Sequence, residues 1–338
     1  MKKLLVICFA VLFIASGCTS DSSSDDKKDA TSNDGDFPIV IEHAYGKTTI
    51  EEKPENIVSI AWGNQDVLLA LDVEPVGVSK ANYGIEEDEK LLPWTKEAFE
   101  SLGVDNPVVF DDIDGLDYEA ISDTNPDIIL AAYSGITQEE YDLLSEIAPV
   151  IPFKEAAYQT TWREQILVNS KAIGMEKEGT DLVKELENTI NEEVEKSPEI
   201  KGKTAAFMYF DVTDLGQIYV YGENDPRAAY LKDLGLEEAD SIKDILKDST
   251  DFGTYFSAEK VEDLKDVDII ILYGDETTLK TLQDDPLIGT IPAIQNGSVV
   301  ILTNNSPLAA SSTPSALSIP YAIEEYVDLI GQAAKKVK

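Results

Sequence analysis

The sequence predicts an α/β protein of two lobes, each a mostly parallel sheet covered by helices, with a helical segment between them. Three observations carry this. Short β-branched runs alternate with helical stretches before Trp162 and again after Pro198. The stretch between those two regions has no strand signal. A module also occurs twice, "DYEAISDTNPDIILAAYSG" from Asp117 and "SAEKVEDLKDVDIIILYGD" from Ser257. Each copy has a Glu two residues in, a short amphipathic segment, Asp-Ile-Ile, an apolar run, a Tyr and a Gly. One copy falls on each side of the helical segment, so each lobe carries the same piece.

The chain of 338 residues is long enough for two cores. It opens with "MKKLLVICFAVLFIASGC", in which Lys2 and Lys3 precede an apolar run from Leu4 to Ile14. Small residues then lead to Cys18. Residues 1–17 read as a secretory signal, too short for a comfortable membrane span. The Ala-Ser-Gly-Cys ending resembles the lipobox of bacterial lipoproteins, which implies that Cys18 is lipid-modified and begins the mature chain. Cys8 leaves with the signal, so no internal disulfide can form. Residues 18–36 contain "TSDSSSDDKKDATSNDGD", which has almost nothing to bury and reads as a disordered tether.

Residues 37–161 form the expected first lobe. "PIVIEHAYGKTTIEE" alternates around a turn and predicts a hairpin. Next come the strand "NIVSIAW", the helix "NQDVLLALD" and the strand-like "EPVGVSKANYG". The helix "PWTKEAFESLG" precedes the strand "NPVVF", and the helical "DYEAISDT" precedes the strand "DIILAAY". "TQEEYDLLSEIA" and "PVIPF" close the lobe as helix and strand. Residues 162–197 are helical throughout, with Leu182, Leu186, Ile190 and Val194 at helical spacing. A helix of that kind is about 25 Å long, enough to link two lobes. Pro198 stops it. In the second lobe, 198–338, "KTAAFMYF", "QIYVY", "DIIILY" and "SVVIL" are strands, while "DPRAAYLKDLG" and "SAEKVEDLK" are helices. A final helix from about 314 to 336 ends in lysines that suit its negative end.

A formal net charge of -38 and a pI near 4.1 exclude nucleic acid as a partner, since phosphate backbones are gripped by Lys and Arg. The acidity otherwise serves solubility. In open parallel sheets, ligands bind beyond the carboxyl ends of the strands. The residues found there are Trp62, Tyr83, Tyr133, Tyr209 with Phe210, Tyr221 and Tyr273. A single aromatic at such a place is core filling; six on one edge point to ligand lining. The only two arginines, Arg163 and Arg227, and also Lys80 lie near lobe boundaries or in loops that follow strands. Each either pairs with one of the 65 acidic residues or marks a positive spot for an oxygen-rich or anionic ligand. Catalysis finds little support. The one histidine, His43, lies in the hairpin, and no P-loop, GxGxxG, GxSxG or HExxH occurs. A site of several histidines is impossible, and Met175 and Met208 offer haem little. The expectation is therefore no catalytic residue, no cofactor and no directly bound metal.

The lipobox, "GKTTIEEKPENIVSI", "DVLLALDVEPVGV", "DYEAISDTNPDIILAAY" and the helical middle together resemble the substrate-binding lipoproteins of ABC importers for ferric siderophores. Cobalamin- and haem-binding relatives belong to the same group. Asp72 stands where these proteins usually have Gly. The resemblance covers the chain from about Phe37 onward. It implies a class III substrate-binding protein, two Rossmann-like lobes joined by one long α-helix, with the ligand between them. The ligand-binding residues it implies are Trp62, Lys80, Tyr83, Tyr133, Trp162, Arg163, Tyr209, Arg227 and Tyr273. Glu119 and Glu259, one in each copy of the repeat, would dock on Arg-lined pockets of the permease, which works with its ATPase. The rest of the expectation is a monomer held by lipid at the extracellular face of a cell membrane, with a Gram-positive envelope favoured. The ligand would be an Fe(III)-siderophore. Scarce cations favour a hydroxamate chelate, whereas convergence of Lys80, Arg163 and Arg227 would suit a catecholate or citrate type. The alternatives are cobalamin or haem on the same fold or, from another class, an α/β lipoprotein hydrolase.

Overall fold

Apolar runs become strands here where both faces of a sheet are covered: Ile128–Ala131 is wholly buried, as a continuous apolar run requires. The computed structural model describes Gly35 and residues 37–112 and 114–338. The expected signal, Cys18 and the tether apart from Gly35 lie outside the described residues. Among these residues the chain begins with the hairpin β1 (Ile39–His43) and β2 (Gly46–Ile50), paired antiparallel from Ile39 with Ile50 to His43 with Gly46. The first lobe then alternates β3 (Ile57–Ser59), α1 (Asn64–Ala70), β4 (Gly77–Ser79), α2 (Pro93–Ser101) and β5 (Val109–Phe110). It continues through α3 (Tyr118–Asp123), β6 (Ile128–Ala131), α4 (Gln138–Ser145) and β7 (Val150–Pro152). The order β5-β4-β3-β6-β7 is parallel at every pairing. The order reverses between β3 and β6, the place where a doubly wound sheet opens a crevice at its carboxyl edge.

Two helices follow, α5 (Trp162–Ala172) and α6 (Glu176–Glu195). Capping boxes begin α4 and α5: Thr137 with Glu140, and Thr161 with Glu164. Helix α6 buries Val183, Leu186 and Ile190 on one stripe, each contributing about 1.5–3 kcal/mol by burial. At about 30 Å it is the long interlobe helix. It packs on α5 and on the terminal helix α12 (Ser318–Ala334), while α5 packs on α1. One core cluster accordingly runs from Val67 and Ile166 through Leu186 to Phe207 and Ile330.

The second lobe contains β8 (Thr204–Phe210), β9 (Gln217–Tyr221), α7 (Pro226–Asp233), β10 (Glu237–Glu238), α8 (Asp240–Leu246) and β11 (Gly253–Ser257). After them come β12 (Ile269–Gly274), α9 (Thr278–Asp284), α10 (Pro292–Asn296), β13 (Val299–Thr303) and α11 (Pro307–Ser311). The order is β11-β9-β8-β12-β13, and β10 pairs with the start of β8. This sheet is mixed: β8, β9 and β11 run antiparallel, the rest parallel. Two details depart from the sequence reading, and a third bears on it. "SAEKVEDLK" becomes a 3₁₀ segment, kinked at Lys260 and Leu264. The last helix starts at Ser318 because Ser315 is held in a buried turn with Ser318. Asp72, where the resemblance leads one to expect Gly, has φ 58, a left-handed conformation that glycine adopts most easily.

Candidate ligand-binding cleft

The loops after β3, β4, β6 and β7 reach the same edge of the first sheet and face the second lobe. Between them lies a cleft of about 530 Å³. The first lobe lines it with Trp62, Asn82, Tyr83, Tyr133 and Tyr158, the second with Asp225, Arg227, Phe252, Tyr273 and Asn304.

Buried polar groups set the first wall. Trp62 sits in the turn from β3 to α1, next to Ala61 with φ 63. The Ala61 amide donates to Ser79 Oγ at 2.8 Å, and Gln165 Nε2 donates to the Trp62 carbonyl at 2.8 Å. Asn64 clamps the Tyr133 backbone from both sides, accepting from its N–H at 3.2 Å and donating to its carbonyl at 3.1 Å. Asn169 on α5 in turn donates to Asn64 Oδ1 at 3.0 Å. Tyr158 has φ 59, and its amide donates to Ser134 O at 3.0 Å. Its ring lies 5.8 Å from that of Tyr133. Position 135 must be glycine for that arrangement, since a Cβ there would fall 2.2 Å from the Tyr158 ring. Two non-glycine residues in the left-handed region, both in cleft loops, are the kind of local strain that gathers at binding sites.

The second wall is organised by Arg227. Asp225 caps α7, accepts from the Arg227 amide at 2.9 Å, and holds the guanidinium by two bonds of 2.8 and 2.6 Å. The guanidinium lies 4.2 Å over the Tyr221 ring and 5.8 Å from that of Phe207. Burial opposes its charge, but the Asp225 carboxylate more than compensates and raises its pKa. Asp225 is itself only 3% exposed, so the pair is a fixed dipole with no net charge. Tyr273 leans edge-on to Phe207 at 5.2 Å and to Tyr83 at 5.9 Å, with its hydroxyl 2.8 Å from Ser312 Oγ. The lobes touch directly where Tyr83 OH donates to Asn304 at 2.9 Å and accepts from the Asn305 amide at 3.0 Å.

Burial raises the Tyr83 and Tyr133 phenols above their ordinary range and pushes Tyr221 up to about 12 despite Arg227. These tyrosines therefore offer neutral hydroxyls and aromatic faces, not phenolate oxygens. Among the described residues no group of three or more His, Cys, Asp or Glu is placed to hold a metal ion.

Of the residues named from sequence, Trp62, Tyr83, Tyr133, Arg227 and Tyr273 meet in this cleft. Lys80 lines an adjoining pocket of the first lobe and pairs with Asp111 at 3.3 Å. Trp162 and Arg163 are elsewhere. Trp162 is 3% exposed and donates to Asp233 at 2.9 Å; Arg163 binds Glu187 at 2.7 Å and the same Asp233 at 2.9 Å, fastening α5 to α6 and α7. The three cations therefore do not converge. Tyr209 stands outside the lining, opposite Tyr219 in a row that Tyr255 completes across β11. Glu119 is exposed in the first turn of α3, and Glu259 is exposed in the first turn of the 3₁₀ segment before β12. His43 is buried in the hairpin, 2.9 Å from Thr48 Oγ1. Sequence reasoning missed Tyr158, Asn82, Phe252 and Asn304. Tyr158 had a signal, an aromatic in the loop after the strand "PVIPF"; the others have none.

The structure is similar to that of PiaA from Streptococcus pneumoniae TIGR4 in complex with ferrichrome, with a TM-score of 0.85 and 50% identity over 89% of this chain and 100% of that one. "Probable siderophore-binding lipoprotein YfiY" of Bacillus subtilis (strain 168) is 25% identical over 283 residues, 81% of this chain and 79% of its own. YhfQ of the same strain is 29% identical over 210 residues, 61% of this chain, and the match spans 58% of YhfQ. The two-lobed α/β architecture, the interlobe helix and the cleft agree with a profile match over residues 57–306, and the chain belongs to the periplasmic binding protein family.

Proposed function

We propose that this chain is the receptor of an ABC importer, binding a ferric siderophore of hydroxamate type between its lobes and presenting it to the permease. The observation that carries this is a cleft walled by neutral tyrosines whose only ion pair, among the described lining residues, is the self-compensated Arg227–Asp225. A ferric tris-catecholate brings about three negative charges, and burying them against one already paired cation is costly. A near-neutral ferric hydroxamate fits without that cost, and its apolar arms suit the aromatic faces. The likeness to PiaA, solved with ferrichrome, supports the same chemistry. In this reading the chelate supplies all the iron ligands, and the protein binds reversibly without turnover. The chain acts as a monomer, anchored by lipid at Cys18 on the extracellular face of a Gram-positive membrane; no helix of the described residues is long and apolar enough to cross a membrane.

The test is tryptophan fluorescence of the full chain in detergent, titrated with ferric hydroxamates, ferric catecholates, ferric citrate, haem and cobalamin. Trp62 lines the cleft, while Trp94 and Trp162 are buried at 4% and 3% exposure. Saturable quenching by a ferric hydroxamate at sub-micromolar concentration is expected, with Trp62→Phe losing the largest share of the amplitude. A tighter response to catecholate, haem or cobalamin, with none to hydroxamates, overturns the reading.

A further inference from the structure

Among the described residues that line the cleft, only Arg227 and Asp225 carry charge, and they are bound to each other. An anionic ligand would seek the donors that Asp225 already holds. Its carboxylate accepts from Arg227 Nε at 2.8 Å, from Nη2 at 2.6 Å and from the Arg227 amide at 2.9 Å. It does so at the N-terminus of α7, where the helix dipole favours negative charge. The carboxylate is fixed there. The Asp225 amide donates to Gly222 O at 2.8 Å, and Pro226, whose ring sets its own φ, follows as the first residue of α7. The guanidinium is fixed as well, 4.2 Å over the Tyr221 ring. The Tyr133 phenol, on the wall of the other lobe, is raised first by burial. Of the charges that reach it, Asp225 pushes it further up and Arg227 pulls it down, so both ends of the pair are felt across the cleft.

We propose that Asp225 is a specificity-determining residue of the cleft: as a built-in counter-ion it claims the donors of Arg227 and turns away chelates that bring negative charge. The inference rests on the receptor reading and assigns, within it, the residue that selects the ligand's charge. A rival anion has to displace a carboxylate tethered beside its partner, and so present at high effective concentration, or bind next to it against like charge. A neutral chelate meets only a dipole and is spared that cost.

The experiment uses two ferric chelates of similar size on one tripodal frame. One is a tris-hydroxamate, neutral at iron, and the other a tris-catecholate with about three negative charges there. Binding is read by tryptophan fluorescence on the full chain in detergent. The variant Asp225→Asn keeps the size of the side chain and a good helix cap while removing the charge. The unaltered chain should prefer the hydroxamate by about a hundredfold or more. In Asp225→Asn the catecholate should bind about tenfold tighter than it does to the unaltered chain, while the hydroxamate weakens because Arg227 is held less firmly. A merely structural role cannot give that gain, since a disturbed wall weakens both ligands. Asp225→Ser, which also caps without charge, should give the same gain. Combining Asp225→Asn with Arg227→Gln should abolish it, because the cation that the first change exposes is gone. Tight hydroxamate binding by the unaltered chain, with no catecholate gain in either single variant, overturns the assignment to Asp225 and leaves the receptor reading standing. A gain that persists in the double variant overturns it too. Failure of the unaltered chain to bind the hydroxamate overturns the receptor reading and this inference with it.

Discussion

Asp66 shows how much one residue can hold together. It lies in the first turn of α1 at 1% exposure and accepts from Trp94 Nε1 at 2.9 Å, Thr95 Oγ1 at 2.9 Å, Gln65 Nε2 at 3.2 Å and Ser315 Oγ. Trp94 and Thr95 belong to α2, whereas Ser315 comes from the turn before α12, so one carboxyl ties the first lobe to the C-terminal segment. Burial pushes its pKa up from the ordinary 3.8 to about 6, with the four donors pulling the other way. The folded protein therefore holds this proton more tightly than the unfolded chain. The stabilisation is complete below pH 3.8 and is lost as pH rises through 6, amounting to about 3 kcal/mol in all. The Asp66→Asn variant cannot titrate. Denaturant unfolding of both proteins from pH 4 to 8 should show the wild type losing stability relative to that variant across the window; a pH-independent difference would contradict it. Nothing in "NQDVLLALD" announces this, because one Asp among 65 acidic residues has no sequence signature. The cleft was partly legible at this scale: aromatics right after strands were readable as Trp62, Tyr83, Tyr133 and Tyr273. Arg163 was not, because its partners Glu187 and Asp233 are set by how α5 crosses α6 and α7.

At the level of elements, the close crossing of α5 and α6 fixes the middle of the molecule. Gly179, inside α6, faces Ser170; a Cβ there would lie 1.9 Å from Ser170 Oγ and 2.4 Å from its Cβ. Replacing an exposed helical glycine by alanine stabilises by up to about 1 kcal/mol. Here overpacking outweighs that gain, and Gly179→Ala should cost about 1–3 kcal/mol in urea unfolding. Adding Ser170→Gly restores the space, so the double variant should be more stable than the sum of the single effects predicts. Additive effects would show that the helices are free to separate. Helix α6 was readable in advance because Leu186 and Ile190 recur at helical spacing, and the first sheet because each apolar run is short and flanked by helical stretches. The antiparallel side of the second sheet was not. β11, "GTYFS", leaves Tyr255 66% exposed, so burial alternation is weak there, and its pairing with β9 is a long-range choice made by the sheet. "SAEKVEDLK" has helical spacing, but the backbone leaves helical φ/ψ at Lys260 and Leu264, and the segment settles into 3₁₀ turns.

Across the whole molecule, the repeated module finds its place in the equivalence of β6 and β12. Each pairs in parallel with the first strand of its lobe's sheet, β3 or β8, and each is preceded by a short helical element that presents a Glu. Glu119 and Glu259 are exposed, and among the described residues neither carboxylate takes part in an ion pair. A Glu in a first helical turn gains about 0.3–1 kcal/mol from the helix dipole, so stability alone could account for one of them. Two at equivalent places, one per lobe, favour docking on a partner that reads both lobes at once. The lobes are tied near the cleft by Tyr83 with Asn304 and Asn305 and, deeper, by Asp66 with Ser315. With a helix between them as well, opening is expected to be small, and the two carboxylates keep a nearly constant spacing whether or not ligand is bound. A permease with a basic pocket for each could then engage the receptor through two charged contacts, each worth several kcal/mol if well desolvated. Combining Glu119→Arg with Glu259→Arg should lower cellular uptake of the ferric chelate by more than about tenfold while leaving its affinity for the purified chain within about twofold. Each single reversal should fall between. Retained uptake in the double variant would remove docking from these positions. Lost affinity would mean that the two glutamates serve the cleft or the fold, and the repeat would then need an explanation inside the lobes themselves.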